Sequence, residues 1–323
     1  MNIDHGKTHW TEDEQEILRS VVREYMQLHG VTQAAVSRES GVAAATLSQF
    51  LSNTYKGSTS EVAKNLGRWL THKREEAEIS SVAPPEPTFT QTKTAVSILN
   101  VLRGSQALAD MGLVIGRPGV GKTATLRQYK TTTPRVAIVT ASPAISSASG
   151  MLRKLLESTT GSPRGRGYAS KLDLTTQARA LYGPGWLIVA DEAQHLQVEA
   201  LEELRAIHDE TSAGLVLMGN ATVLSRIEGN ERNPAFAQLF SRCGVRVVIN
   251  ASDPEDVVAI LATMGVETPD VLQIAQAIAA KDGVRQVVKA VRRALMTARG
   301  AREDLTPNHL RLAYRQLGGV LPR

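Results

Sequence analysis

Cysteine is almost absent from this sequence: Cys243 is the one thiol in 323 residues. A single cysteine closes no intramolecular disulfide and builds no cysteine-rich metal site, so a reducing cytoplasm is the expected compartment. No stretch approaches the ~20 consecutive apolar residues that a membrane helix needs. The first residues, with Asp4, His5, Lys7, Glu12 and Asp13, contain no apolar signal core, so export is not expected either. Internal repeats and low-complexity tracts are also missing. Aromatic residues make up only 4%, and Trp10 and Trp69 are read as staples of an N-terminal helical bundle, not as platforms for stacked bases. His195 has no second His or Cys at ligand spacing, which argues against a metal role. Cys243 has no adjacent base and is read as a packing residue.

What remains is an ordinary globular mixture, 42% hydrophobic and 21% charged, long enough for about two domains. The net charge of +5 permits a nucleic-acid partner without establishing one. The clearest break is Ser80-Ser81-Val82-Ala83-Pro84-Pro85-Glu86-Pro87, because closely spaced prolines cannot continue a helix and favour extended geometry. Residues 80–90 are therefore expected to link an all-helical domain, 1–79, to the rest of the chain. In that first domain Thr11 is the expected N-cap of a helix carrying Ile17, Val21, Val22, Tyr25 and Met26, and Gly30 stops it. Further helices are expected over Gln33–Glu39, Ala43–Leu51 and 60–78.

After the linker, apolar runs alternate with helical segments, the signature of a parallel sheet with crossover helices. Strands are expected at Met111–Ile115, Arg135–Thr140, Trp186–Ala190, Gly214–Met218 and Val245–Ile249. From Asp253 onward only helices are expected, at 254–264, 268–281, 284–299 and 306–317. The fold class is thus α/β, with a core over 91–252 and a helical end over 253–323.

Gly116-Arg117-Pro118-Gly119-Val120-Gly121-Lys122-Thr123 matches G-x-x-x-x-G-K-[ST] between an expected strand and an expected helix. Such a loop turns its backbone N–H groups toward phosphates, extends Lys122 to the β/γ-phosphates and offers the Thr123 hydroxyl to Mg²⁺. Gly116, Pro118, Gly119, Val120, Gly121, Lys122, Thr123 and Ala124 are the expected ATP-binding residues. Trp186-Leu187-Ile188-Val189-Ala190-Asp191-Glu192 is an apolar run ending in two carboxylates. Asp191 is expected to hold Mg²⁺ and Glu192 to polarise the attacking water. Asn220 follows the next apolar run and is placed either to bond the water or γ-phosphate or to cap a strand end.

The order of these elements, with a helical lid after them, resembles the AAA+ ATPases. The resemblance implies two more residues: Arg242 as the arginine finger completing a neighbouring subunit's site, with Arg226 and Arg232 as competitors, and Arg285 as the second sensor at the start of a lid helix. It also implies that hydrolysis needs oligomers.

Val31 to Leu51 resembles a repressor-type helix-turn-helix, with Val36, Val42, Leu47 and Phe50 as its core. Ala44, Thr46, Ser48 and Gln49 are left as a groove-facing surface, unless the bundle instead binds protein. Residues 1–81 carry 9 basic and 11 acidic residues, so phosphate attraction is weak there. Basic residues concentrate between 127 and 181, where Arg127, Lys130, Arg135, Arg153, Lys154, Arg164, Arg166, Lys171 and Arg179 face only Glu157 and Asp173. Arg153, Lys154, Arg164, Arg166 and Lys171, with Thr46 and Gln49, are the candidate DNA contacts.

Gly116–Thr123, Ile188–Leu196, Val198–Leu204, Gly214–Asn220 and Phe236–Arg242, with weaker support from Glu39–Val42 and Arg68–Leu70, are similar to the phage Mu transposition protein B family. That resemblance implies an ATP-dependent, DNA-binding ATPase of the bacterial host cytoplasm. It would form homo-oligomeric filaments on double-stranded DNA with little sequence preference, select target DNA and activate a transposase. Two other readings share its parts: a sequence-specific transcription regulator with a nucleotide switch, and a clamp-loader or helicase-loader ATPase.

Overall fold

A computed structural model describes residues 10–82, 84–161, 169–223 and 243–321. The chain divides into two compact units, Met1–Pro84 and Pro85–Arg323.

Among the described residues, the first unit is four helices: α1 (Glu12–His29), α2 (Gln33–Ser40), α3 (Ala44–Leu51) and α4 (Thr59–Val82). Thr11 and Glu14 form a capping box at the start of α1, and Gly30 ends it in the left-handed region, which costs glycine no Cβ clash. Gly41 ends α2 in the same way. Leu18, Val22, Val36, Val42, Leu47, Phe50 and Leu66 share one buried cluster with Trp10 and Trp69, the core role expected of both tryptophans. The Trp69 indole N–H donates to Glu39 at 3.1 Å. That bond, with Lys73 nearby, holds the Glu39 carboxyl below the usual range. Helix α4 continues to Val82, so residues 80–82, expected to belong to a linker, form its last turn. The chain leaves helical geometry only where Pro84 and Pro85 are near.

The second unit is built on a five-stranded parallel sheet, counted among the described residues, in the order β2-β3-β4-β1-β5. The strands are β1 (Met111–Gly116), β2 (Val136–Thr140), β3 (Leu187–Asp191), β4 (Gly214–Gly219) and β5 (Cys243–Ile249). Side chains alternate across a sheet, and the buried strands divide accordingly. Leu113, Ile115, Ile188, Ala190, Leu215 and Leu217 pack against helices α7 (Ala148–Thr160), α8 (Lys171–Leu181) and α9 (Val198–Thr211). Val114, Leu187, Val189, Val216 and Met218 face α5 (Lys93–Leu108) and α6 (Lys122–Thr132). Both faces are covered, which is why the strands read as unbroken apolar runs.

Three strand starts differ from expectation for local reasons. β3 begins at Leu187 rather than Trp186, whose N–H closes a turn on the Gly183 carbonyl at 3.0 Å. Arg135 has φ 58, outside the extended region, so β2 begins one residue later. β5 begins at Cys243 rather than Val245: its pairing with β1 shifts register between Met111 and Gly112, leaving Gly244 as the extra residue. A Cβ at Gly244 would fall 1.9 Å from the Asp110 carboxylate, so a larger residue there would displace that side chain. Burial pushes the Cys243 thiol up to about 11, in keeping with packing rather than reactivity.

The chain ends in helices α10 (Pro254–Ala262), α11 (Pro269–Asp282), α12 (Val284–Ala301) and α13 (Pro307–Gln316), which share a separate core around Leu261, Ile278, Val291 and Tyr314. Asp256 of α10, itself buried, accepts the free backbone N–H groups of Lys93 and Thr94 at 2.9 and 3.2 Å. It thereby ties this bundle to the N-terminus of α5. Among the described residues no helix is long and apolar enough to cross a membrane.

Candidate functional site

β1, β3 and β4 are adjacent in the sheet and end at one edge, so the segments that come after them in the chain meet there. This is the carboxyl end of a parallel sheet, where ligands of open α/β folds bind. Gly116 closes β1, and the loop then runs into α6 with Gly121 as its N-cap. Gly119 and Gly121 have φ 83 and φ 100, conformations that turn successive N–H groups toward a common point. Lys122 is 7% exposed. Its ammonium donates to the Gly116 carbonyl at 2.7 Å and to the Arg117 carbonyl at 3.2 Å. Burial lowers the Lys122 pKa, partly offset by the fields of Glu192 and Asp191.

Asp191 ends β3 at 1% exposure. One of its oxygens accepts the Thr123 hydroxyl at 2.9 Å and the other the Glu192 N–H at 3.0 Å. Burial raises its carboxyl above the ordinary range, against the stabilising effect of those two bonds. A buried carboxylate beside a hydroxyl at a phosphate-binding loop fits a magnesium ion. Mg²⁺ is held at such sites by one or two protein oxygens together with substrate phosphates. Glu192 comes next, in the left-handed region at φ 55 and ψ 38, a conformation uncommon for a non-glycine residue and concentrated at functional sites. Asn220 lies just past β4. Its side-chain oxygen accepts the Thr222 N–H at 2.9 Å, so the capping alternative is realised in this structure.

The lid reaches the same loop. Arg285 is in the first turn of α12, and its backbone N–H donates to the Gly119 carbonyl at 3.2 Å. Its positive field is felt at Lys122. Arg117 donates to the carbonyls of Ala280 and Lys281 at the end of α11, where a cation suits the helix terminus. Gly283, between α11 and α12, has φ 83 and ψ 164, and a Cβ there would fall 2.8 Å from the Pro118 carbonyl. Neither Arg117 nor Gly283 stands out in the sequence, since both act through a contact between loop and lid. Arg242, Arg226 and Arg232 lie outside the described residues, so the finger assignment rests on the sequence alone.

Of the candidate DNA contacts, Arg164 and Arg166 also lie outside the described residues. Arg153 and Lys154 sit on α7, and Lys171 opens α8. The basic segment is less free than its composition implies. Lys154 pairs with Glu157 at 2.6 Å, Lys171 with Glu203 at 3.4 Å and Arg179 with Glu210 at 2.9 Å. Gln49 is exposed and Thr46 half-buried on α3. A second basic surface lies on the lid. Helix α12 has no acidic residue and five basic ones, and Arg285, Lys289, Arg293 and Arg299 are exposed on it.

Comparison with known proteins bears on the whole chain. Residues 106–227 match the AAA domain model, and residues 241–317 match the model for the C-terminal part of the Mu B transposition protein. The ATP-dependent target DNA activator B of Escherichia phage Mu is 34% identical over 303 residues, spanning 93% of this chain and 95% of the relative. The chain belongs to the Mu B transposition protein family. Another similar member is the Mu-like prophage FluMu DNA transposition protein B of Haemophilus influenzae, 34% identical over 266 residues, 81% of this chain and 90% of that one. The Mu B family chain also shares its fold with more distant solved structures. Cdc6p from Pyrobaculum aerophilum superposes with a TM-score of 0.54 at 18% identity, over 73% of this chain and 70% of that one. A chain of the Drosophila ORC bound to DNA gives 0.50 at 17%, over 73% and 63%. The match over residues 106–227 identifies an AAA domain, and the solved structures share its fold.

Proposed function

We propose that this Mu B family member is a Mg²⁺-dependent ATP hydrolase that assembles on double-stranded DNA and activates a transposase. The observation that carries the reading is the contact of Thr123 with Asp191 beside the buried Lys122, in a chain that matches an ATP-dependent target DNA activator along almost its full length.

In this reading the loop N–H groups of Gly119 to Thr123 and the N-terminus of α6 bind the β- and γ-phosphates of ATP. Lys122 exchanges its carbonyl partners for phosphate oxygens. Thr123 and Asp191 would hold Mg²⁺, which would neutralise charge on the phosphates. Glu192 accepts a proton from the attacking water, Asn220 contacts the water or the γ-phosphate, and Arg285 brings the lid's charge to the same phosphate. Arg242 supplies the equivalent charge to a neighbouring subunit, which makes assembly a condition of turnover.

DNA is held by backbone phosphate contacts from Arg153, Lys154, Arg164, Arg166 and Lys171, with the α12 face as a further candidate. Surface ion pairs are worth only about 0–1 kcal/mol, so Lys154 and Lys171 can exchange carboxylates for phosphates. Contacts of this kind read no sequence and make binding steeply dependent on salt. Hydrolysis then dissolves the assembly, with the transposase stimulating it.

Electron microscopy of the full chain with ATP and random-sequence duplex tests the proposal. Filaments or rings that form with ATP and vanish without it are the expected result, and unassembled protein in both conditions overturns it. A second reading, a sequence-specific regulator, is supported by one observation: α2 and α3 are joined by a short turn, with Ala44, Ser48 and Gln49 exposed. It requires one duplex sequence to compete far better than the rest.

A further inference from the structure

Just past Asp191 and Glu192 the chain makes a short turn, Ala193–His195, and returns the Gln194 side chain toward β4. The two ends of this amide have different partners. Its N–H₂ donates to the Glu192 carboxylate, and its oxygen accepts the backbone N–H of Asn220 at 3.4 Å. Room for the second contact comes from Gly219. A Cβ at that position would fall 2.6 Å from the Gln194 oxygen and 2.5 Å from the Val223 side chain. The end of β4 is therefore shaped to admit this amide.

The chemistry of the bridge is selective. A carboxylate only accepts hydrogen bonds and a backbone N–H only donates, so the linking group must donate at one end and accept at the other. Glutamine does both. Glutamate has the same shape but sets a like charge against Glu192, and leucine of similar size does neither.

We infer that Gln194 is a positioning residue that fixes the Glu192 carboxylate and couples it to the end of β4 at Asn220. This rests on the proposal that Glu192 is the base for ATP hydrolysis and adds a residue to that machinery. Movement of the Asn220 backbone when a γ-phosphate is engaged is relayed through the amide to the carboxylate, so water activation depends on occupancy of the site. A misplacement on the order of 1 Å at a reacting group costs up to about 100-fold in rate, which sets the scale of the effect.

The test uses the full-length protein with saturating duplex DNA and compares Gln194→Glu, Gln194→Leu and Gln194→Asn. Positioning predicts that kcat for ATP falls about 10- to 100-fold in Gln194→Glu and Gln194→Leu, with Gln194→Glu the worse. KM for ATP and ATP-dependent DNA binding should stay within about twofold, and Gln194→Asn should recover part of kcat. A packing role predicts the reverse order, with isosteric Gln194→Glu near wild type, and that order overturns the inference. Thermal melting accompanies each variant; should Gln194→Glu fail to fold, Gln194→Leu with unchanged kcat still overturns it. The closing control is Gln194→Glu in a Glu192→Gln background, where no like charge remains and the additional loss should shrink to below about twofold. Normal turnover by Glu192→Gln alone removes the base reading itself. An inactive Glu192→Gln beside an unaffected Gln194→Glu removes only the inference.

Discussion

The two units of this chain place their polar groups differently. In the first, residues up to Pro84, the buried cluster is apolar and aromatic, the indole of Trp69 is satisfied by Glu39, and the buried Arg19 pairs with Glu16 of its own helix at 2.8 Å. In the second, the edge formed by β1, β3 and β4 buries an ammonium and a carboxylate, Lys122 and Asp191. It also holds Glu192 in the left-handed region and requires glycine at 283, where a Cβ would meet the Pro118 carbonyl. A fold departs from its local rules where function demands it. The first unit thus buries one cation within a packing core, and the second brings a buried cation and a buried anion to one site.

The largest test of that contrast is Lys122→Ala. It should abolish ATP-dependent DNA binding while leaving the first unit's melting unchanged, and retained binding would cancel the loop assignment. Phe50→Ala probes the opposite side. It empties the centre of the first unit at a cost of about 3–5 kcal/mol, yet ATP turnover should persist. Turnover that falls in step with the first unit's helicity, measured by circular dichroism, would erase the distinction.

Gly283→Ala should act between these extremes. Its backbone region is essentially reserved for glycine, with a cost of about 1–3 kcal/mol, and its Cβ would meet the Pro118 carbonyl. Fluorescent-ATP titration should show weaker binding with little change in the melting of the first unit. Asp191→Asn should give the smallest shift. Burial raises the Asp191 pKa, so its charge destabilises the nucleotide-free protein above the folded pKa, and that cost disappears as pH falls through it. Near neutral pH the variant should melt higher while losing hydrolysis. The difference should narrow in acid, and a lower melting temperature at neutral pH would mean that the carboxylate is not under strain.

Much of the fold and site was legible in the sequence because some of the constraints are local. The phosphate loop is eight consecutive residues between a strand and a helix, and Asp191 and Glu192 end an apolar run, so order along the chain reveals both. Val36, Val42, Leu47 and Phe50 were recognisable as core from the resemblance to a helix-turn-helix. Through-space partners were not legible. Gln194 gains meaning only when β3 and β4 lie side by side, and Arg117 and Gly283 only when the lid meets the loop. Net charge along the chain shows neither pairing nor placement. Lys154, Lys171 and Arg179 are paired with Glu157, Glu203 and Glu210, two of which come from α9. The basic face of α12 is hidden in the composition by the acidic residues of α10 and α11.

The central claim is that nucleotide-gated DNA binding resides in the second unit. Residues 85–323 carry their own cores, so this fragment can be compared directly with the full chain by fluorescence anisotropy on random-sequence duplex, with and without ATP, across a salt series. The account predicts that the fragment binds only with ATP and retains a salt slope close to that of the full chain. A fragment that fails to bind with ATP, while residues 1–84 bind without it, would contradict the account.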